Sequence, residues 1–136
     1  MPPDGEKQAA CLAWFKKAEL DLQAAAHDLQ AAEPFTGSSV FHSQQAVEKA
    51  IKGFLFFSDR PFRKTHSIRE LAAEVADVTL EHADLLAEAG ELTPYATVFR
   101  YPGEEDEPPL SEAVRALALA KRVVEALRRA SVGASG

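Results

Sequence analysis

Residues 41–57 read FHSQQAVEKAIKGFLFF, and the pattern of this stretch decides the fold. At about 100° per residue along a helix, Val40, Val47, Ala50, Ile51, Phe54 and Phe57 gather on one core face. The opposite side carries His42, Gln45, Lys49 and Lys52 at spacings of 3, 4 and 3, with Phe41 and Phe56 among them. A helix that is apolar beyond its core face is central in a bundle or lies at a subunit interface. Phe41, His42, Gln45 and Phe56 are therefore expected in a packed seam or interface. The polar row either hydrogen-bonds within that packing or walls a pocket. Glu48 and Lys52 form an i,i+4 pair in the stabilising order.

Helical periodicity continues on both sides. Before the central stretch, Leu12, Phe15, Ala18, Leu22, Ala25, Leu29 and Ala32 follow helical spacing, widened by Trp14 and Leu20, which predicts a helix over Lys7 to Glu33 closed by Pro34. The central helix is expected over Ser38 to Ser58, with Ser38 or Ser39 as N-cap and Asp59-Arg60-Pro61 as its stop. Ser67 and Glu70 have capping-box spacing and open a third helix with Ile68, Leu71, Ala72 and Val75 inward. A fourth covers Leu80 to Ala89, with Gly90 as its stop, and a short helical turn follows Thr93-Pro94. RYPGEEDEPP, residues 100–109, reads as an exposed loop. The last helix starts after Pro109 with Ser111 as N-cap and a stripe of Val114, Leu117, Lys121, Val124 and Leu127; Ala113, Ala116 and Ala120 form a small-residue side. No window alternates as a strand does. The expected fold is all-α, an up-and-down bundle of four to five helices, one domain with its core over about residues 8–130 and a frayed tail at 131–136.

The 136 residues suit one hydrophobic core. Hydrophobic residues make up 46% of the chain, which is that of a folded globular protein. No apolar run approaches the roughly 18 residues of a membrane span, and the N-terminus lacks the basic and apolar regions of a secretory signal. With one cysteine, Cys11, expected buried or half-buried on the first helix, a reducing cytoplasm is the expected location. The net charge of -6 disfavours long-range attraction to nucleic acid, yet residues 49–69 hold six cations, Lys49, Lys52, Arg60, Arg63, Lys64 and Arg69, against one acid, Asp59. That segment is either an unevenly charged solvated loop or a site for phosphate or an acidic partner.

Chemistry is sparse. The histidines, His27, His42, His66 and His82, form no H-x-x-x-H pair, and one cysteine cannot build a thiolate site, so neither a metal nor a cofactor is expected. No phosphate-binding glycine loop or G-x-S-x-G is present. Asp21 and Asp28 share a helix face, which reads as a solvated one. The functional reading of the central strip is that Lys49, Lys52 and His66 face a phosphate.

FHSQQAVEKAIKGFL, followed by K-THSIREL and by RYP ahead of a last amphipathic helix, resembles the HEPN domain, over about residues 8–130. The resemblance implies a helical bundle, usually a homodimer. Many prokaryotic members pair with a minimal nucleotidyltransferase in toxin–antitoxin-like modules; many others are metal-independent ribonucleases. The ribonuclease signature, R-x(4–6)-H near the start of the last helix, would begin at Arg100, but no histidine follows it. Arg60 and His66 satisfy the spacing before the third helix, with Pro61 where a polar residue is usual. The missing histidine argues against an enzyme. The other branch implies a nucleotide-binding accessory or a nucleotidyltransferase partner, with Lys49, Lys52, His66 and Arg100 as the phosphate site and Tyr101 stacking on a base. Structurally, Tyr101 would simply pack and Pro102-Gly103 shape the loop.

Overall fold

The computed structural model describes residues 3–98 and 106–132. It consists of α1 (Pro3–Leu29), α2 (Thr36–Phe57), α3 (Ile68–Ala76), α4 (Ala83–Ala89), a 3-10 helix (Gly90–Ala96) and α5 (Leu110–Val132), with no strand among the described residues. The all-α bundle expected from the sequence is the one observed. The long helices α1, α2 and α5 pack mutually, while α3 and the 3-10 helix cover another side of α2.

α2 is the central element. Val40, Val47, Ala50, Ile51 and Phe54 are buried as its spacing requires, and so are Ser43, Gln44, Ala46, Glu48, Gly53 and Leu55. Phe57, placed on the core face by periodicity, is 38% exposed and lies under the Lys7 ammonium, 5.5 Å from the ring centre. Phe56 is half-buried against the core, and Phe41 is half-buried with its ring edge-on to His42 at 5.4 Å.

The boundaries show which local signals won. α1 ends at Leu29 rather than Glu33; the chain turns back early, with Gln30 N–H donating to His27 O and Phe35 N–H to Asp28 O. α2 starts at Thr36, so neither Ser38 nor Ser39 caps it. Ser39 is already inside the helix, and its buried hydroxyl donates to Ala25 O of α1 at 2.9 Å. The cap comes from far along the chain, where Glu107 Oε1 accepts from Gly37 N–H at 2.9 Å. A carboxylate there satisfies an orphan donor and complements the helix dipole. Glu107→Ala is expected to cost about 1 kcal/mol, read as a lower urea midpoint; an unchanged midpoint would mean that water serves Gly37 equally well.

At its other end α2 closes with Asp59 in the left-handed region, φ 59°. Arg60 N–H reaches Leu55 O and Asp59 N–H reaches Phe56 O, the double closure of a Schellman motif. Ser67 caps α3 by accepting from Glu70 N–H. The reciprocal half of the box is absent; Ser67 N–H donates to Thr65 Oγ1 instead, and the Glu70 carboxylate faces Arg63. α4 begins at Ala83, later than Leu80, and ends at Ala89 with Gly90 as its C-cap, as expected; the chain continues from Gly90 into the 3-10 helix. α5 starts at Leu110, with Glu112 and Ala113 N–H both on Pro109 O, so Ser111 lies inside the helix.

Two stripes are rotated from their expected faces. In α1 the core face is Cys11, Phe15, Ala18, Leu22 and Ala25, while Leu12 and Leu20 are exposed. In α5 it is the small-residue side, Ala113, Ala116 and Ala120 with Val123, Val124 and Leu127; Val114 and Lys121 face outward. No helix among the described residues is long and apolar enough to cross a membrane.

Candidate functional site

The polar row of α2 is held by two buried carboxylates, and each carries one imidazole and one ammonium. The first is Asp21 of α1. Its Oδ1 lies 2.8 Å from His42 Nδ1 and its Oδ2 2.5 Å from Lys49 Nζ. Asp21 is only 8% exposed, so the expectation of a solvated carboxylate face fails here. α1 crosses α2 so closely that Asp21 falls between residues a helix repeat apart.

The second is Glu48 of α2 itself, 5% exposed. Oε2 accepts from Lys52 Nζ at 2.9 Å, the pair expected from i,i+4 spacing. Oε1 accepts from Gln44 Nε2 at 3.1 Å and lies 3.0 Å from His66 Nδ1. Gln44 also donates to His66 O, and Gln45 Nε2 donates to Gln44 Oε1 at 2.7 Å. Burial pushes the Glu48 carboxyl up, but the hydrogen bonds from Lys52, His66 and Gln44 outweigh it and hold the group below its ordinary range. Charged at neutral pH, Glu48 has its lone pairs satisfied by Lys52, Gln44 and His66, with Gln45 Nε2 farther off at 3.5 Å from Oε1.

The loop after α2 is fastened to this cluster. Phe62 stands edge-on to Trp14 at 5.7 Å and beneath the Lys52 ammonium at 5.8 Å. His66 hangs from Glu48 with 70% of its side chain exposed. In both histidines the carboxylate occupies Nδ1, and Nε2 has no hydrogen-bond partner among the described residues.

The residues singled out from the sequence are thus brought together in part. Lys49, Lys52, His66, His42 and Gln45 share one surface, and the four basic groups are each engaged by a carboxylate. Arg100 and Tyr101 lie outside the described residues. Arg60 pairs with Asp77 at the end of α3, whereas His66 turns to α2, so that R-x-x-x-x-x-H spacing does not aim its two ends at one neighbour. Asp21 and Gln44 were not legible as members of the site. The Gln44-Gln45 doublet in α2 was the one available signal.

The architecture and the α2 string can be set against known proteins. The HEPN domain model matches residues 11–130. The chain belongs to the HEPN domain family. The match spans all five α-helices and includes the whole polar strip. No curated protein and no solved structure matches the chain. Within this HEPN domain, the strip and the loop that closes over it are where side chains other than core residues converge.

Proposed function

We propose that this HEPN domain is a nucleotide-binding accessory module, the helical partner of a minimal nucleotidyltransferase in a toxin–antitoxin-like pair, acting as a homodimer and performing no chemistry itself. The observation that carries this reading is the composition of the α2 strip. Two ammoniums balance two buried carboxylates, and two imidazoles are tethered to the same carboxylates through Nδ1. Such a surface offers hydrogen bonds and a charge that rises when an imidazole takes a proton, which suits a phosphate oxygen. The donors are preorganised by the carboxylates behind them, so little is lost in ordering them on binding. Arg100, whose planar fork of donors suits phosphate, and Tyr101, which offers a stacking face, are the further members of the proposed site expected from the sequence.

A metal-independent ribonuclease is the competing reading. Against it stand the absence of any histidine after Arg100 and the diverging partners of Arg60 and His66.

The test is a thermal-shift series with ATP, GTP, CTP and UTP, with and without Mg²⁺, on wild type, Lys49→Ala and Arg100→Ala. A concentration-dependent rise in Tm follows from binding to the folded state alone; at a ligand concentration about 100 times Kd it corresponds to about 2.7 kcal/mol. Both variants should lose most of it. The absence of any rise would end the free-nucleotide reading, and metal-free cleavage of RNA abolished by His66→Ala would replace it with the ribonuclease.

A further inference from the structure

The face formed by α3 and α4, away from the α2 strip, has a different chemistry. A groove of about 190 Å³ runs between the two helices, lined by Ala73, Ala76, Ala83 and Ala87 with Val75 and Leu86, and by one cation, Arg69, whose side chain lies against Gly90. In the turn that joins its walls, Val78 is 40% exposed and Leu80 73%, the latter the most exposed large apolar residue among those described. Alanine walls allow a close approach, because the distance between packed helices is set by the side chains at the contact.

The rim decides what fits. Beyond Arg69, residues 70 to 98 carry seven carboxylates and no lysine or arginine, so acids outnumber the single groove cation. Four of these reach cations from elsewhere only in solvent-facing pairs: Glu70 with Arg63 at 3.5 Å, Asp77 with Arg60 at 3.4 Å, Glu88 with Arg122 at 3.3 Å and Glu91 with Arg115 at 3.9 Å. Pairs of this length and exposure contribute little and are readily exchanged for others. Glu81 and Asp84, beside Leu80 and in the first turn of α4, are exposed and have no ion-pair partner among the described residues. A second copy placed two-fold on this patch would set carboxylates against carboxylates, and an anionic membrane or nucleic acid would be repelled.

We infer that the α3–α4 groove is a docking surface for a basic amphipathic helix of a protein partner, its apolar stripe seated on the alanine walls and Leu80, its lysines or arginines on Glu81 and Asp84. This surface is independent of the strip on α2, and its occupancy does not require nucleotide.

The probe is a labelled amphipathic Leu/Lys peptide of about 18 residues, five helical turns, with its Leu/Glu counterpart as the charge control. Binding is read by fluorescence anisotropy at low and high salt and mapped by amide chemical shifts. The Leu/Lys helix should bind and the Leu/Glu helix should not. The shifts should centre on residues 69–87, and affinity should fall with salt. Leu80→Ser and the pair Glu81→Lys with Asp84→Lys change only exposed side chains, so the fold should persist; each should weaken binding by roughly tenfold or more. Failure of the Leu/Lys helix to bind, shifts confined to another face, or unchanged affinity in both variants would overturn the assignment. So would a concentration-dependent dimer, seen in sedimentation and dissolved by Leu80→Ser, which would give the groove to a second copy.

Discussion

Glu48→Ala is expected to lower the free energy of unfolding by about 3–5 kcal/mol, the range for removing one partner of a buried ion pair. That is a large share of the roughly 5–15 kcal/mol that holds a typical domain together. The cost arises less from the lost attraction than from what is left behind. Lys52, with a side chain 14% exposed, keeps its charge without a counter-ion. Gln44, fully buried, loses one of the two acceptors of its amide N–H groups and keeps His66 O, and the loop after α2 loses the anchor at His66 Nδ1. Urea denaturation followed by circular dichroism checks this, with a lower midpoint at an unchanged slope. A loss below about 1 kcal/mol would show that the cluster behaves as a solvated surface network.

The same residue sets an acid sensitivity. The folded-state pKa of Glu48 lies below its ordinary 4.5, so the unfolded chain binds the proton more tightly than the folded one. The contribution to stability is therefore complete above about pH 4.5 and is lost as pH falls through the lower folded value. Glu48→Gln has no such carboxyl, and its stability should decline less steeply than that of wild type on acidification from pH 5. Parallel profiles would remove Glu48 as a source of the acid response.

Gly53 predicts the second large effect. Glycine inside a helix normally costs about 1 kcal/mol against alanine, so Gly53→Ala would stabilise an isolated α2. Here the added Cβ would stand 2.9 Å from Trp14 Cβ and 3.0 Å from Phe15 Cε2. Trp14 Cβ is attached directly to the α1 backbone and cannot swing aside, so α1 and α2 must separate. Cys11 Sγ, 3.6 Å from Gly53 O, marks the same closeness. Gly53→Ala is expected to destabilise by about 1–2 kcal/mol and Gly53→Leu by about 3 kcal/mol or more, the upper range of overpacking. Thermal melts of both variants decide the matter, and a Tm for Gly53→Ala at or above that of wild type would refute the close-crossing account.

The secondary structure was largely legible because helix periodicity is a local property. The core of α2 followed from Val40, Val47, Ala50, Ile51 and Phe54, and Ser67 announced the start of α3. Errors fell where local signals compete with distant ones. Ser38 and Ser39 looked like caps, but Ser39 bonds to Ala25 and the cap function passed to Glu107, seventy residues away. Leu117, Val124 and Leu127 located the α5 core, yet the true face is turned toward Ala113 and Ala120, because those small residues let α5 lie close to α1 and α2.

The candidate site divides in the same way. His42, Gln45, Lys49 and Lys52 could be placed on one strip from spacing alone, and Glu48 joined to Lys52 across one helical turn. Nothing local tells that Asp21, on another helix, stands between His42 and Lys49, or that His66 reaches back from the loop to Glu48. Spacing along one helix is dictated by backbone geometry, and the residue order therefore carries it. Which charges meet across helices depends on crossing angle, on the closeness that Gly53 permits and on the desolvation of Asp21 and Glu48. Those quantities exist only once the bundle has closed, and they turn a row of cations into a charge-balanced network.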